Sequence, residues 1–133
     1  MKYILLPFVA WIVSGSLKFF VNAIRFGGFE NAKKLIGYGG LPSTHTAIIS
    51  SAVFFYGFSE GFFNATFTLG LSVMMLFIMD AHNLRRKIGV HAEVLNILQD
   101  KIKLRERMGH TWIEIFCGLI VGVILAYIFS EIF

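Results

Sequence analysis

Four apolar stretches of near membrane-spanning length, residues 3–24, 42–58, 62–79 and 111–130, constrain this chain more than any other feature. A helix crosses the hydrocarbon core with about 20 apolar residues. In lipid every backbone polar group must be paired within its own segment. The expected fold is therefore all-α, an integral membrane helical bundle with about four transmembrane helices, forming a single membrane domain over residues 1–133. Composition agrees: the chain is 56% hydrophobic with a mean hydropathy of +0.72, where soluble domains run at ~45–50% apolar. The second and third stretches are short and should stand close to the bilayer normal. The single cysteine, Cys117, lies inside the fourth stretch and excludes an intrachain disulfide. Met1-Lys2, Tyr3–Val13 and Ser14-Gly15-Ser16 also fit a cleaved leader, but apolar character resumes after Lys18 and favours a span.

The charges lie between the stretches. The loop at 25–41 carries Arg25, Lys33 and Lys34, and the loop at 80–110 carries Arg85, Arg86, Lys87, Lys101, Lys103, Arg105 and Arg107. With four spans these loops share one face, and together they hold ten of the twelve Lys and Arg. Both are short enough for the positive-inside rule, so this face is expected to be cytoplasmic in the cell membrane, with both termini outside. The net charge of +4 thus reads as membrane orientation, and no nucleic-acid motif accompanies it. Ser59-Glu60-Gly61 reads as the tight turn before the third span. Within 80–110, Val94, Leu95, Leu98 and Ile102 share one side of a helical pattern. That pattern predicts an amphipathic surface helix between the third and fourth spans.

Chemistry-bearing residues gather at the basic face. Gly39-Gly40-Leu41-Pro42-Ser43-Thr44-His45-Thr46 precedes the second span. The glycines permit close backbone approach, Pro42 suits a first helical turn, and a helix N-terminus with Ser43, Thr44 and His45 favours an anion such as phosphate. Lys18, Asn22 and Arg25 share one helix face at the end of the first span; Lys18 is deep enough to be either a snorkelling anchor or part of a site. His110 and Glu114, four apart at the start of the last span, can meet, so that one imidazole nitrogen is held and the other aimed outward. Gly118 and Gly122 continue that face and allow a helix to pack closely. Asp80 closes the third span with no assigned role. His82 and His91 read as loop histidines without metal-ligand spacing, and no cofactor or metal is implied. Two histidines, several cations and a helix N-terminus at one face meet the needs of phosphoryl transfer through a histidine nucleophile.

The ordered set Lys18-x6-Arg25, Pro42-Ser43-Thr44-His45 and Arg…His110-x3-Glu114 resembles the three-part motif of the type-2 phosphatidic acid phosphatases and vanadium-dependent haloperoxidases. It is closer to the divergent type-2 phosphatidic acid phosphatase family, small membrane proteins with Gly-Gly-Met/Leu-Pro-Ser-Ser/Thr-His. Asp80-x4-Arg85-Arg86-x2-Gly89-x2-Ala92-x3-Asn96 and Gly109-His110-x3-Glu114-x3-Gly118 resemble that branch too. The resemblance covers nearly the whole chain. It implies His110 as a nucleophile forming a phosphohistidine, Glu114 orienting it, and His45 protonating the leaving oxygen. It further implies Lys18, Arg25, Gly40, Ser43 and Thr44 around the phosphate, metal independence and inhibition by vanadate. The chain departs from the pattern at Phe26, where proline is usual, at Thr44, where the superfamily has glycine, and at Leu104, where it has arginine. Arg85, Arg86, Arg105 and Arg107 are the four candidates for the missing cation.

The reading that follows is a lipid-phosphate phosphatase acting on a phosphomonoester or polyprenyl (pyro)phosphate lipid at the cytoplasmic face, among membrane lipids. A non-catalytic lipid-phosphate binder or transporter that retains the anion site is the alternative. A structural membrane subunit and a haloperoxidase rank below both. Four spans form a thin wall around such a site. That suggests a homodimer, with the Gly118/Gly122 face either serving it or packing within the monomer.

Overall fold

A computed structural model describes residues 2–34, 40–99 and 101–133 and is helical throughout its regular parts. Helix α1 runs Lys2–Arg25, α2 Phe29–Lys34, α3 Thr44–Glu60, α4 Ala65–Met79, α5 Arg85–Leu98 and α6 Trp112–Ile132. Asp80–Leu84 is a π turn that joins α4 to α5 without a break. Gly39 and Asp100 lie outside the described residues.

The apolar stretches become the long helices, with four differences from expectation. Among the described residues three helices are long and apolar enough to cross a membrane: Tyr3–Arg25, Ala65–Leu98 and Trp112–Ile132. The expected second span is the shorter α3, 17 residues beginning with polar Thr44-His45-Thr46. It is the central helix, packed on α6, α1 and α4. Second, α3 runs on through Ser59 and Glu60, so the turn falls at Gly61–Asn64, where Gly61 takes φ 94° and Asn64 caps α4 through Phe67 N–H. Third, the expected amphipathic helix is α5, and it follows α4 with no loop between them. Nothing between Met79 and Arg85 breaks helical φ/ψ, so α5 prolongs the third span into one helix of 34 residues, about 51 Å at 1.5 Å per residue. It ends at Leu98, leaving Ile102 in the following segment. Fourth, α2 adds a short helix inside the 25–41 loop.

The sequence explains the close packing at the centre. A Cβ on Gly118 would strike the Ser43 carbonyl, and one on Gly122 would strike Ser50 Oγ and the Ala47 carbonyl. The glycine pair of α6 therefore seats α3 within the same chain. Buried Ser14, Ser50 and Ser51 donate to carbonyls of their own helices at 2.6, 2.6 and 2.8 Å. Each hydroxyl is thus satisfied without a partner helix. Apolar clusters sit around Leu6, Phe55 and Ala126 and around Val53, Phe67 and Met74. Large side chains such as Phe8, Trp11, Leu69, Phe116 and Ile124 remain exposed, as a lipid-facing surface requires.

Candidate functional site

The site lies where the end of α1, the starts of α3 and α6 and the π turn meet. Ser43 is the N-cap of α3; its Oγ accepts from Thr46 N–H at 3.4 Å and from Thr46 Oγ1 at 3.0 Å. Pro42 therefore stands before the cap and not in the first turn. Ser43 N–H donates to the Glu114 carbonyl at 2.9 Å, which ties the start of α3 to the first turn of α6. Both the N–H and the oxygen of fully buried Ser43 are thus engaged in structure.

His110 is not on α6. Gly109, at φ 85°, turns the chain, and Thr111 is the N-cap. The Thr111-x-x-Glu114 spacing forms a capping box. Glu114 Oε2 accepts from Thr111 N–H at 3.1 Å and pairs with His110 Nδ1 at 2.9 Å. A capping carboxylate therefore also fixes the imidazole through Nδ1, and among the described residues no hydrogen bond is made to Nε2. The His110 and His45 rings stand edge to face with centroids 5.9 Å apart. His110 is buried and His45 exposed, so the pair joins the protein interior to the face.

The backbone of His110 is gripped on both sides by the π turn. Its N–H donates to the Ala81 carbonyl at 2.9 Å, and its own carbonyl is bound by His82 Nδ1 at 3.1 Å. The His82 ring lies against Trp112, 4.3 Å between centroids. His82, read from sequence as a loop histidine, is thus a direct neighbour of His110. Its signal was faint, since the contact joins residues 28 apart.

The segment 101–110 reaches this point by folding back along α5. Asn96 donates to the Leu104 carbonyl and to Glu106 Oε1, and accepts from Leu104 N–H, each at 2.8 Å. Gly89 lies against the Glu106 carbonyl, where a Cβ would not fit. Arg86 packs on Gly109. Arg85, Gly89, Ala92 and Asn96 recur every three or four residues, so they line one face of α5. Gly89 and Asn96 of that face carry the returning segment, and Gly89 and Ala92 are buried.

Arg85 is held by the π turn. Its Nε donates to Asp80 Oδ2 at 2.9 Å. Residues five apart stand about 140° apart on an α-helix. The π turn, in which Arg85 N–H bonds the Asp80 carbonyl, brings them together. Arg85, Lys18 and Asp80 lie near enough for their charges to reach His45, which stands beside the His110 ring, and Lys18 also interacts with Glu114. Gly40 lies against Lys18 and Asn22. Thr44 opens α3 half-buried, while Arg25, on the last turn of α1, and Arg105 and Arg107, in the returning segment, are exposed. Among the described residues no three His, Cys, Asp or Glu side chains gather as a metal site.

The chain is similar to the uncharacterized membrane protein YuiD of Bacillus subtilis (strain 168), 25% identical over 115 residues covering 71% of this chain and 73% of that protein. No solved structure matches the chain. Residues 1–125 match the model of the divergent PAP2 family. That match takes in the Lys18, Ser43–His45, Asp80–Arg85 and His110–Glu114 positions together, and the chain belongs to the divergent PAP2 family.

Proposed function

We propose that this membrane protein is a metal-independent lipid-phosphate phosphatase that works through a phosphohistidine on His110. The observation that carries the reading is the His110–Glu114 pair at 2.9 Å, with His45 across the gap. Glu114 holds Nδ1, so the Nε2 lone pair is the one available to attack phosphorus. As the N–P bond forms, the P–O ester bond breaks, and His45 donates its proton to the leaving oxygen. Water then attacks the phosphohistidine, His45 takes back a proton, the N–P bond breaks, and inorganic phosphate leaves with His110 restored. Lys18 and Arg85 carry the cations that offset charge on the phosphoryl oxygens. The substrate is a phosphomonoester or polyprenyl (pyro)phosphate lipid, entering from the membrane at the face bearing the basic loops, which the positive-inside rule makes cytoplasmic.

A second reading, a binder or transporter that holds lipid phosphate without turnover, draws support from Ser43, whose N–H and oxygen are spent on Glu114 and Thr46. The two readings part in one assay: phosphate release from a panel of lipid phosphates in detergent with chelator present, for wild type, His110→Ala and His45→Ala, with and without vanadate. Release that survives chelator, is blocked by vanadate and is lost in both variants is the expected result. Lipid phosphate bound by wild type but never hydrolysed establishes the binder.

A further inference from the structure

We infer that Asn22 contacts the substrate and selects a phosphate ester that carries a free hydroxyl beside its phosphate; the inference rests on the phosphate site proposed above. Asn22 lies one turn beyond Lys18 on α1 and is 6% exposed. Its backbone carbonyl makes a bond to Phe26 N–H at 2.9 Å, yet among the described residues no hydrogen bond holds its carboxamide. An unpaired amide in an apolar span is costly. No sealed side-chain nitrogen or oxygen among the described residues lacks a partner, so the Asn22 amide is not sealed. It faces the space beside Gly40: a Cβ placed there would stand 3.5 Å from Asn22 Oδ1, 3.7 Å from Nδ2 and 3.7 Å from Lys18 Cγ. Gly40 stands three residues before Ser43, whose N–H is bound to the Glu114 carbonyl at 2.9 Å, and Lys18 interacts with His45 and Glu114. The amide therefore forms part of the α1 wall of the same site.

The chemistry of the amide names the ligand class. A carboxamide offers two donors and one acceptor, whereas the oxygens of a phosphomonoester dianion only accept. If Nδ2 donates to phosphate, Oδ1 still requires a donor. A hydrocarbon or fully acylated group next to the phosphate has none, and a free hydroxyl there supplies it. A site that buries a polar group for a hydroxyl discriminates against the analogue that lacks one.

The test is calorimetric titration of the full-length protein in detergent with two soluble probes, glycerol 3-phosphate and n-propyl phosphate, which share a three-carbon chain and differ in hydroxyls. Wild type should bind glycerol 3-phosphate about tenfold more tightly. Asn22→Leu should weaken both probes through the lost phosphate contact, glycerol 3-phosphate the more, bringing the ratio near one, and Asn22→Ala reads the same way if the Leu variant does not fold. Asn22→Asp should weaken both probes by charge repulsion. An unchanged ratio in Asn22→Leu overturns the inference, as does a wild type that binds both probes equally or neither. Binding is read without turnover. A protein that keeps the preference yet releases no phosphate from any lipid therefore refutes the phosphatase reading alone.

Discussion

Glu114 has two jobs that one pair of substitutions separates. Its Oε2 accepts from Thr111 N–H at 3.1 Å, capping α6, and pairs with His110 Nδ1 at 2.9 Å. In Glu114→Gln the amide oxygen can occupy the Oε2 position and accept both bonds. A flipped amide would set its NH2 against the Thr111 N–H, donor against donor. That N–H therefore keeps the oxygen in place and preserves the Nδ1–H tautomer. What is lost is the charge: a hydrogen bond to a charged group contributes ~1.5–3 kcal/mol against ~0.5–1.5 for a neutral one. The difference of about 1.4 kcal/mol slows turnover about tenfold. Glu114→Ala removes both bonds. It costs about 1 kcal/mol of stability through the cap and leaves the Nδ1 of His110, 5% exposed, unpaired, at roughly 1–3 kcal/mol. Turnover should fall about a hundredfold. The measurements are phosphate release from the preferred lipid phosphate and thermal unfolding in detergent, for wild type and both variants. A Gln variant as inactive as the Ala variant, with unfolding unchanged, refutes the orienting role and makes the carboxylate a proton acceptor. An Ala variant with wild-type turnover reduces the pair to a helix cap.

Three further outcomes follow from the packing. Asn96→Ala removes three 2.8 Å hydrogen bonds to the returning segment, so hydrogen exchange over 101–110 should quicken and turnover drop while helix content holds; unchanged exchange would contradict the role given to α5. Gly122→Ala places a Cβ on Ser50 Oγ and the Ala47 carbonyl. It should destabilise the bundle by about 1–3 kcal/mol, and an unshifted unfolding transition in detergent would count against α3–α6 packing within one chain. In a Cys117→Ala background, a cysteine at position 34 should resist an impermeant thiol reagent in intact cells; labelling would invert the sidedness.

How far the sequence reaches is clear element by element. The apolar stretches marked the long helices because a lipid-facing surface must be apolar whatever its partners. The Ser43 cap and the Thr111-x-x-Glu114 capping box are also contacts between near neighbours in the chain, but they were recognised only in the structure. The motifs at Lys18, Ser43–His45 and His110–Glu114 were legible in order, and α-helical spacing foretold that His110 and Glu114 would meet, although the contact is made across a cap instead of along a helix.

What the sequence could not show depends on residues far apart or on a change of helical period. The π turn at Asp80–Leu84 leaves no mark in an apolar pattern, yet it brings Asp80 to Arg85. The grip of Ala81 and His82 on His110 spans nearly thirty residues and rests on the fold-back of 101–110 along α5. Asn22 read as one more polar residue on the Lys18 face. Only the approach of Gly40 showed that its amide, without a hydrogen bond among the described residues, stands beside Lys18 at the edge of the site. Local spacing determines where helices begin and which side chains share a face. Which of those side chains share a site was decided by tertiary packing, because that depends on the space left between helices.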